Sequence, residues 1–221
     1  MIKKNTFWAF VPARSLSKSI KNKNIVLLNK KPLLYYTMNV ARQLLKSNRV
    51  EKVIFSSDSN KYFNIAKKYC EIEFHKRTNK RLFSDLSTDF DVFKDYVSSC
   101  IKKKKHLPEF FIHLRPTTPI RKKEKINKAI DIFYKSKSSF SALRSVTLMQ
   151  NPSYKTFKIK NHKLCSLFEN KYNLDSFNLP RQMFPKTYIP NGYIDIIKTK
   201  NIINNNFHGI KFCHIFLMKR L

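Results

Sequence analysis

The stretch VPARSLSKSIKNKNI gathers Arg14, Lys18, Lys21 and Lys23 directly behind the apolar run of residues 7–11. Cations at the end of a buried strand suit an anion, and phosphate is what α/β enzymes bind there. Loops of that kind usually carry glycines, so that backbone N–H groups can approach the phosphates. This one has none, which leaves the contact to side chains. Arg14 and Lys23 suit holding a triphosphate and offsetting charge on a transferred phosphoryl group, with Ser17 and Asn24 adding hydrogen bonds. The competing reading is a basic surface turn between a strand and a helix.

Three further segments carry polar groups at similar places. In SSD, Asp58 suits contact with a ribose or a metal, while Ser57 or Asp58 could equally cap the next helix. In LRPTTPIR, two prolines hold an extended turn that presents Arg115 and Thr117, with Thr118 capping a helix from Pro119. In LPRQMFPKTYIPNGYIDI, Arg181 lies between turn formers. Asn191-Gly192 reads there as a hairpin turn, and one of the chain's 2 glycines is spent on it. The six histidines show no zinc-ligand spacing, and no Ser-His-Asp order stands out.

The elements that would position these groups follow from hydrophobic periodicity. Strands are predicted at residues 7–11, 53–55, 109–114 and 140–146. Helical spacing runs through Leu33, Leu34, Met38, Ala41, Leu44 and Leu45, with Pro32 in the first turn. It returns through Phe63, Ile65, Ala66 and Tyr69, again after Thr88 as N-cap, and over residues 123–136. The order β-α-β-α-α-β-α-β indicates an α/β sandwich with a mostly parallel sheet. Ligands of such sheets sit at the carboxyl ends of the strands. PARSLSK, SSD and RPTTP all follow strands, so the fold can bring them together. Residues 149–190 break the pattern and read as an arm leaving the main sheet, within one domain spanning 1–221.

A chain of 221 residues with 42% hydrophobic and 14% aromatic content can bury a sizeable core. Its net charge of +31 comes from 45 basic and 14 acidic residues. The lysines are spread along the chain, and only Lys102–Lys105 form a block, which favours compositional bias on solvated faces over a nucleic-acid patch. Four widely spaced cysteines suit buried thiols in a reducing compartment. No run approaches the roughly 20 apolar residues of a membrane span, so a cytoplasmic protein is expected.

Taken in order, these segments resemble the acylneuraminate cytidylyltransferases, or CMP-sialic acid synthetases, a family that includes the enzymes for legionaminic and pseudaminic acids. The opening signature PARxGSKxIxxKNI is matched by Pro12, Ala13, Arg14, Ser17, Lys18, Ile20, Lys23, Asn24 and Ile25. VIFSSDS resembles its second strand end, and His75-Lys76-Arg77 and Asp85 fall where the family has an Arg-Pro segment and an Asp. LRPTTPIR, NPSYKTF and PRQMFPKTYIPNGYIDI resemble its later motifs. The resemblance implies a nucleotide-diphosphosugar transferase-like, Rossmann-like three-layer sandwich. It implies transfer of CMP from CTP to a nonulosonic acid, with Mg²⁺ as cofactor, in a homodimer whose arm is residues 149–190. Arg14, Ser17, Lys18, Lys23, Asn24, Arg77 and Asp85 would serve the nucleotide, with Arg14 and Lys23 catalytic. Arg115, Thr117, Lys155, Arg181 and Asn191 would serve the sugar.

Two departures stand out. Ser15-Leu16 replaces the usual Gly-Gly, and no aspartate follows Asp195, where the family carries an acidic metal motif and a final helix. That leaves Asp58 and Asp195 as the remaining metal candidates, and implies an aberrant tail after Gly209 with impaired catalysis, through truncation, frame shift or loss of activity. A basic nucleic-acid-binding protein is the alternative of another class. Binding assays separate the two: a nucleic-acid binder loses affinity steeply with salt, whereas a cytidylyltransferase prefers CTP to ATP.

Overall fold

Strand β1 (Ile2–Pro12) is buried from Thr6 to Val11, which is why its sequence is a continuous apolar run rather than an alternating one. In the computed structural model, which describes residues 1–168, 173–209 and 211–216, this strand lies inside a seven-stranded sheet. A small hairpin of β2 (Leu27–Leu28) and β3 (Lys31–Pro32) turns over Asn29 and Lys30, both at positive φ. It leads into α1 (Leu33–Lys46), and Pro32 stands just ahead of the helix rather than in its first turn. Next come β4 (Lys52–Ser57), α2 (Asn60–Ala66), β5 (Glu73–Lys76), α3 (Asp89–Lys102), β6 (Leu107–His113), α4 (Lys123–Lys135) and β7 (Ala142–Leu148). A hairpin of β8 (Phe157–Lys160) and β9 (Lys163–Ser166), then β10 (Tyr188–Lys198), α5 (Thr199–Ile203) and β11 (Phe212–Phe216), complete the order.

The sheet runs β11-β7-β10-β6-β1-β4-β5. β1 is parallel to both β4 and β6, and β4 to β5. β10 is antiparallel to β6 and sets Asp195 opposite His113. The sheet is therefore mostly parallel with helices on its faces, as the sequence indicates.

Alternate residues of β1 feed two different cores, as a period of two requires. On one face Trp8 and Phe10 join Ile54 and Phe111 against Phe93, Tyr96, Val97 and Cys100 of α3 and Ile202 of α5. Phe93 stacks on Phe10 with centroids 4.0 Å apart and meets Phe111 edge-on at 5.5 Å. On the other face Phe7 and Phe110 lie 4.8 Å apart, and Phe110 meets Phe133 of α4 at 5.5 Å.

Several local expectations are corrected by the chain's actual hydrogen bonds. Ser59, not Ser57 or Asp58, caps α2 by accepting from the Tyr62 N–H. Thr118 caps nothing, because α4 starts at Lys123. Asn191-Gly192 is no hairpin turn: both residues lie within β10, where Gly192 has φ 68°. A Cβ there would sit 3.0 Å from Thr118 Oγ1, so the glycine serves a close approach as well as its left-handed backbone. The Thr88 cap is as expected and forms a full capping box with Asp91.

By internal contacts the chain divides into two compact units, one of Met1–Ser145 with Gly192–Ile215, the other of Val146–Asn191 with the chain end. Beyond Gly209, residues 212–216 form strand β11 beside β7, and the Ser141 N–H donates to the Lys211 carbonyl at 2.7 Å. The rest of the tail expected to be aberrant, residue 210 and residues 217–221, lies outside the described residues.

Replacing Phe93 by Ala is expected to cost about 3–5 kcal/mol, because four rings close on it. Thr88→Ala should cost only about 1 kcal/mol. Urea unfolding of both variants checks the contrast.

Candidate active site

The segments behind the carboxyl ends of β1, β5 and β6 line a cavity of about 450 Å³, while the SSD segment behind β4 is absent from its lining. Its wall includes Arg14, Ser17, Lys18, Lys23, Asn24, Arg77, Arg115 and Thr117, with Asp89 as its carboxylate. The fold thus brings together eight expected nucleotide or sugar residues from three separate stretches of chain.

The loop after β1 is shaped without glycine. Neither Ser15 nor Leu16 has positive φ, and within the loop only Asn22, at 55°, takes the left-handed conformation. The Asp58 carboxylate accepts from both the Ser15 N–H, at 2.8 Å, and the Ser15 hydroxyl. Asn24 is buried, and its side-chain amide donates to the Arg14 carbonyl at 2.9 Å. The two contacts pin the loop from both ends, so Asn24 acts on the loop itself.

Two of the loop's cations are already paired. Asp85 takes Lys18 at 2.6 Å and Arg14 at 3.2 Å, and Arg14 also donates to the Ser84 carbonyl at 2.7 Å. The Lys18 ammonium, and Arg14 beside it, hold the Asp85 carboxyl below its ordinary range. Asp85 therefore acts on the cations around the cavity, and Asp85 itself is absent from the cavity lining.

Arg77 is the buried cation of the wall, 4% exposed. It donates to the Ser56 hydroxyl at 2.9 Å, to the Ser56 carbonyl at 3.1 Å and to the Leu82 carbonyl at 3.1 Å. Burial pulls its pKa down to about 10, which leaves it charged at neutral pH.

Arg115 is committed elsewhere than its sequence reading suggests. It bonds Asp89 at 2.9 Å and Asp195 at 2.9 Å, so two carboxylates of the chain occupy the guanidinium offered for a sugar carboxylate. Asp195 is 1% exposed and also takes Arg144, at 3.1 Å. Burial alone would raise its pKa; the Arg115 and Arg144 guanidinium groups outweigh that and hold it below the carboxylate range. Beside it His113 is fully buried, stacked edge-on against Phe93 at 5.1 Å, and burial followed by the nearby Arg115 keeps it neutral.

Among the described residues, no group of three or more His, Cys, Asp or Glu is placed to hold a metal ion. Asp58 is spent on Ser15, and Asp195 on two arginines. A hard divalent cation needs free carboxylate oxygens, and these two donors do not fit one.

Residues 8–174 match the profile of a family described as cytidylyltransferase. The chain belongs to that family. Among its curated relatives are an N-acylneuraminate cytidylyltransferase of Escherichia coli, 30% identical over 96% of this chain and 47% of that protein. A CMP-N,N'-diacetyllegionaminic acid synthase of Legionella pneumophila is 29% identical over 89% of this chain and 80% of that protein. A pseudaminic acid cytidylyltransferase of Campylobacter jejuni is 26% identical over 73% and 67%. The chain spans about half the length of the E. coli relative. Among solved structures, a CMP:2-keto-3-deoxy-manno-octonic acid synthetase complexed with CTP superposes with TM-score 0.61 at 11% identity, over 91% of this chain and 77% of that one. A 4-diphosphocytidyl-2C-methyl-D-erythritol synthase gives 0.60 at 7% identity, over 97% and 89%. At such identities these likenesses establish the fold, an α/β nucleotidyltransferase sandwich.

The remaining expected sugar residues of this family member lie in its second unit. There Lys155 donates to the Leu179 carbonyl at 2.8 Å, Arg181 opens a short 3₁₀ turn, and the Asn191 amide donates to the Thr147 hydroxyl at 3.0 Å. Arg121, ending the LRPTTPIR motif, was not singled out by sequence. It is buried and donates to the carbonyls of Tyr193 (2.6 Å), Arg115 (2.8 Å), Gly192 (3.1 Å) and Thr118, and to the Thr37 hydroxyl (3.0 Å). It binds the loop after β6 to β10. A motif of two prolines that must be held against a neighbouring strand was the available signal.

Lysine offers three donors from one point where Arg121 serves five acceptors in a plane. Arg121→Lys should therefore cost about 2–3 kcal/mol, read as a lowered melting temperature that adding CTP only partly restores.

Proposed function

We propose that the protein transfers CMP from CTP to a nonulosonic acid and releases pyrophosphate, as a cytoplasmic homodimer serving surface-glycan synthesis. The observation that carries this reading is the cavity at the strand ends, where Arg14, Lys18, Lys23 and Arg77 face one space of about 450 Å³. Four cations around one cavity favour a polyanion. The names of the relatives, which act on CTP-derived and nonulosonic substrates, point the same way.

In the proposed reaction the sugar's anomeric hydroxyl oxygen bonds to the α-phosphorus of CTP. The bond from that phosphorus to the bridging oxygen breaks, and the hydroxyl proton leaves to solvent. Negative charge grows on the α-phosphoryl oxygens and on the departing pyrophosphate. Arg14 and Lys23 are assigned to that charge, with Lys18 beside them and Asp85 holding Arg14 and Lys18 in place. Cations placed beforehand lower the barrier because nothing must reorganise during transfer. Ser17, Asn24 and Arg77 are assigned to the nucleotide. Thr117, Lys155, Arg181 and Asn191 are assigned to the sugar, with Arg181 the better candidate for its carboxylate because Arg115 is already paired. No protein group is assigned to magnesium; the triphosphate oxygens can themselves carry the ion into the site.

The homodimer reading draws support from the second unit, whose hairpin leaves Phe157, Ile159 and Leu164 exposed at 45%, 76% and 57%. Apolar side chains so displayed favour a protein partner.

The test follows pyrophosphate release with CTP, magnesium and N-acetylneuraminic, legionaminic or pseudaminic acid. One of the three should support turnover with CTP well above ATP. Lys23→Ala and Arg14→Ala should each lower kcat by about 100-fold or more. Absence of CTP-dependent pyrophosphate with all three acids sinks the reading.

A further inference from the structure

Three side chains distant in sequence form a hydrogen-bonded line behind the cavity wall. His75 Nε2 lies 2.8 Å from Asp95 Oδ2, and His75 Nδ1 lies 2.9 Å from Ser56 Oγ. Arg77 Nε then donates to the same Ser56 oxygen at 2.9 Å. The line has the composition of a Ser-His-Asp triad but cannot act as one. Ser56 is 0% exposed, and its oxygen is already an acceptor for a guanidinium. A nucleophile needs access to substrate and a free lone pair.

The direction of each bond follows from the groups at the two ends. Asp95, as a carboxylate, accepts, so the His75 proton sits on Nε2. Nδ1 is then the acceptor, and the Ser56 hydroxyl proton points to it. That turns the Ser56 lone pairs towards Arg77. With its hydroxyl proton so committed, Ser56 can only accept from the guanidinium.

The geometry points to a positioning relay: Asp95 and His75 orient the Ser56 hydroxyl, and Ser56 fixes the Arg77 guanidinium that faces the nucleotide. The inference rests on the proposed nucleotide role of Arg77. It has a physical rationale in Arg77's surroundings, since no carboxylate hydrogen-bonds that guanidinium among the described residues. Its orientation depends on neutral acceptors, of which Ser56 alone supplies two. The Ser56 carbonyl also accepts from the Ala13 N–H at 2.8 Å, so the residue ties Arg77 to the start of the cation loop. The groups facing His75 are consistent with a neutral ring: Asp95 at Nε2, Glu73 and Arg77 on its own strand segment, and the rings of Tyr96 and Phe10 at 5.2 and 6.3 Å. Burial pushes the imidazole below its ordinary range, against the pull of Asp95.

The experiment measures KM for CTP and kcat in Ser56→Ala, His75→Phe, Asp95→Ala and Arg77→Lys. Ser56→Ala and His75→Phe should raise KM about tenfold, the loss of one bond to a charged group, and leave kcat nearly unchanged. Asp95→Ala, on a half-exposed surface, should raise KM less, by about threefold. In the Arg77→Lys background, Ser56→Ala should add nothing, because the residue it acts through is gone. Melting curves establish that each variant folds, and if the buried ones do not, Asp95→Ala decides. A raised KM in Arg77→Lys with wild-type KM in the folded relay variants overturns the relay and leaves the nucleotide reading standing. Full additivity of Ser56→Ala with Arg77→Lys also overturns it. An unchanged KM in Arg77→Lys overturns the nucleotide role of Arg77, and the relay with it.

Discussion

Two guanidinium groups, Arg77 and Arg121, are buried with no hydrogen-bonded carboxylate among the described residues, in a chain that already carries a net charge of +31. Burying a charge is tolerable only when its donors are satisfied. Here backbone carbonyls and hydroxyls do this, and each carbonyl so used is thereby fixed in space. Arg121 gathers carbonyls from the start and the middle of the loop after β6 and from β10. Arg77 gathers the carbonyls of Ser56, on β4, and of Leu82, which lines the cavity. The loops behind the strand ends therefore depend on these two cations.

No lysine falls among the buried polar residues described, whereas these two arginines do. A lysine concentrates its charge on one strongly hydrated atom, while a guanidinium spreads it over a plane of five donors. The lysine excess of the composition is thus a surface property. Lys102 to Lys105 show it directly, exposed where α3 ends. That basic block lies on solvated chain, as its sequence suggests, and the cations that line the cavity are few.

Carboxylates are scarce in this chain, with 14 in 221 residues, and the described site spends them on arginine and loop geometry. Asp85 holds two cations, Asp58 holds Ser15, and Asp195 lies between Arg115 and Arg144. Asp58 and Asp195, read from sequence as metal candidates, are for that reason parts of the scaffold around the cavity. The same accounting explains the glycine-free loop. A carboxylate pulling on Ser15 from outside fixes the turn that glycines would otherwise permit.

The sequence by itself located β1, β4, β6 and β7 of the seven-stranded sheet and half of the cavity's residues. Buried parallel strands must be apolar runs, and the polar segments after them must meet at one edge, so Arg14, Lys18, Lys23, Arg115 and Thr117 could be placed together from order and spacing alone. Local signals that compete were read less well: Thr118 and Asp58 look like caps, and Asn191-Gly192 looks like a turn, because their tertiary partners are absent from the local sequence. What each charge does was decided only by the tertiary structure. Arg115 is paired, Arg121 is structural, and Ser56, His75 and Asp95 form one line although 19 and 20 residues separate successive members. Hydrogen-bond partners brought together by parallel strands and a helix packed on them leave no periodicity in sequence, since the distance that matters between them runs across the sheet and not along the chain.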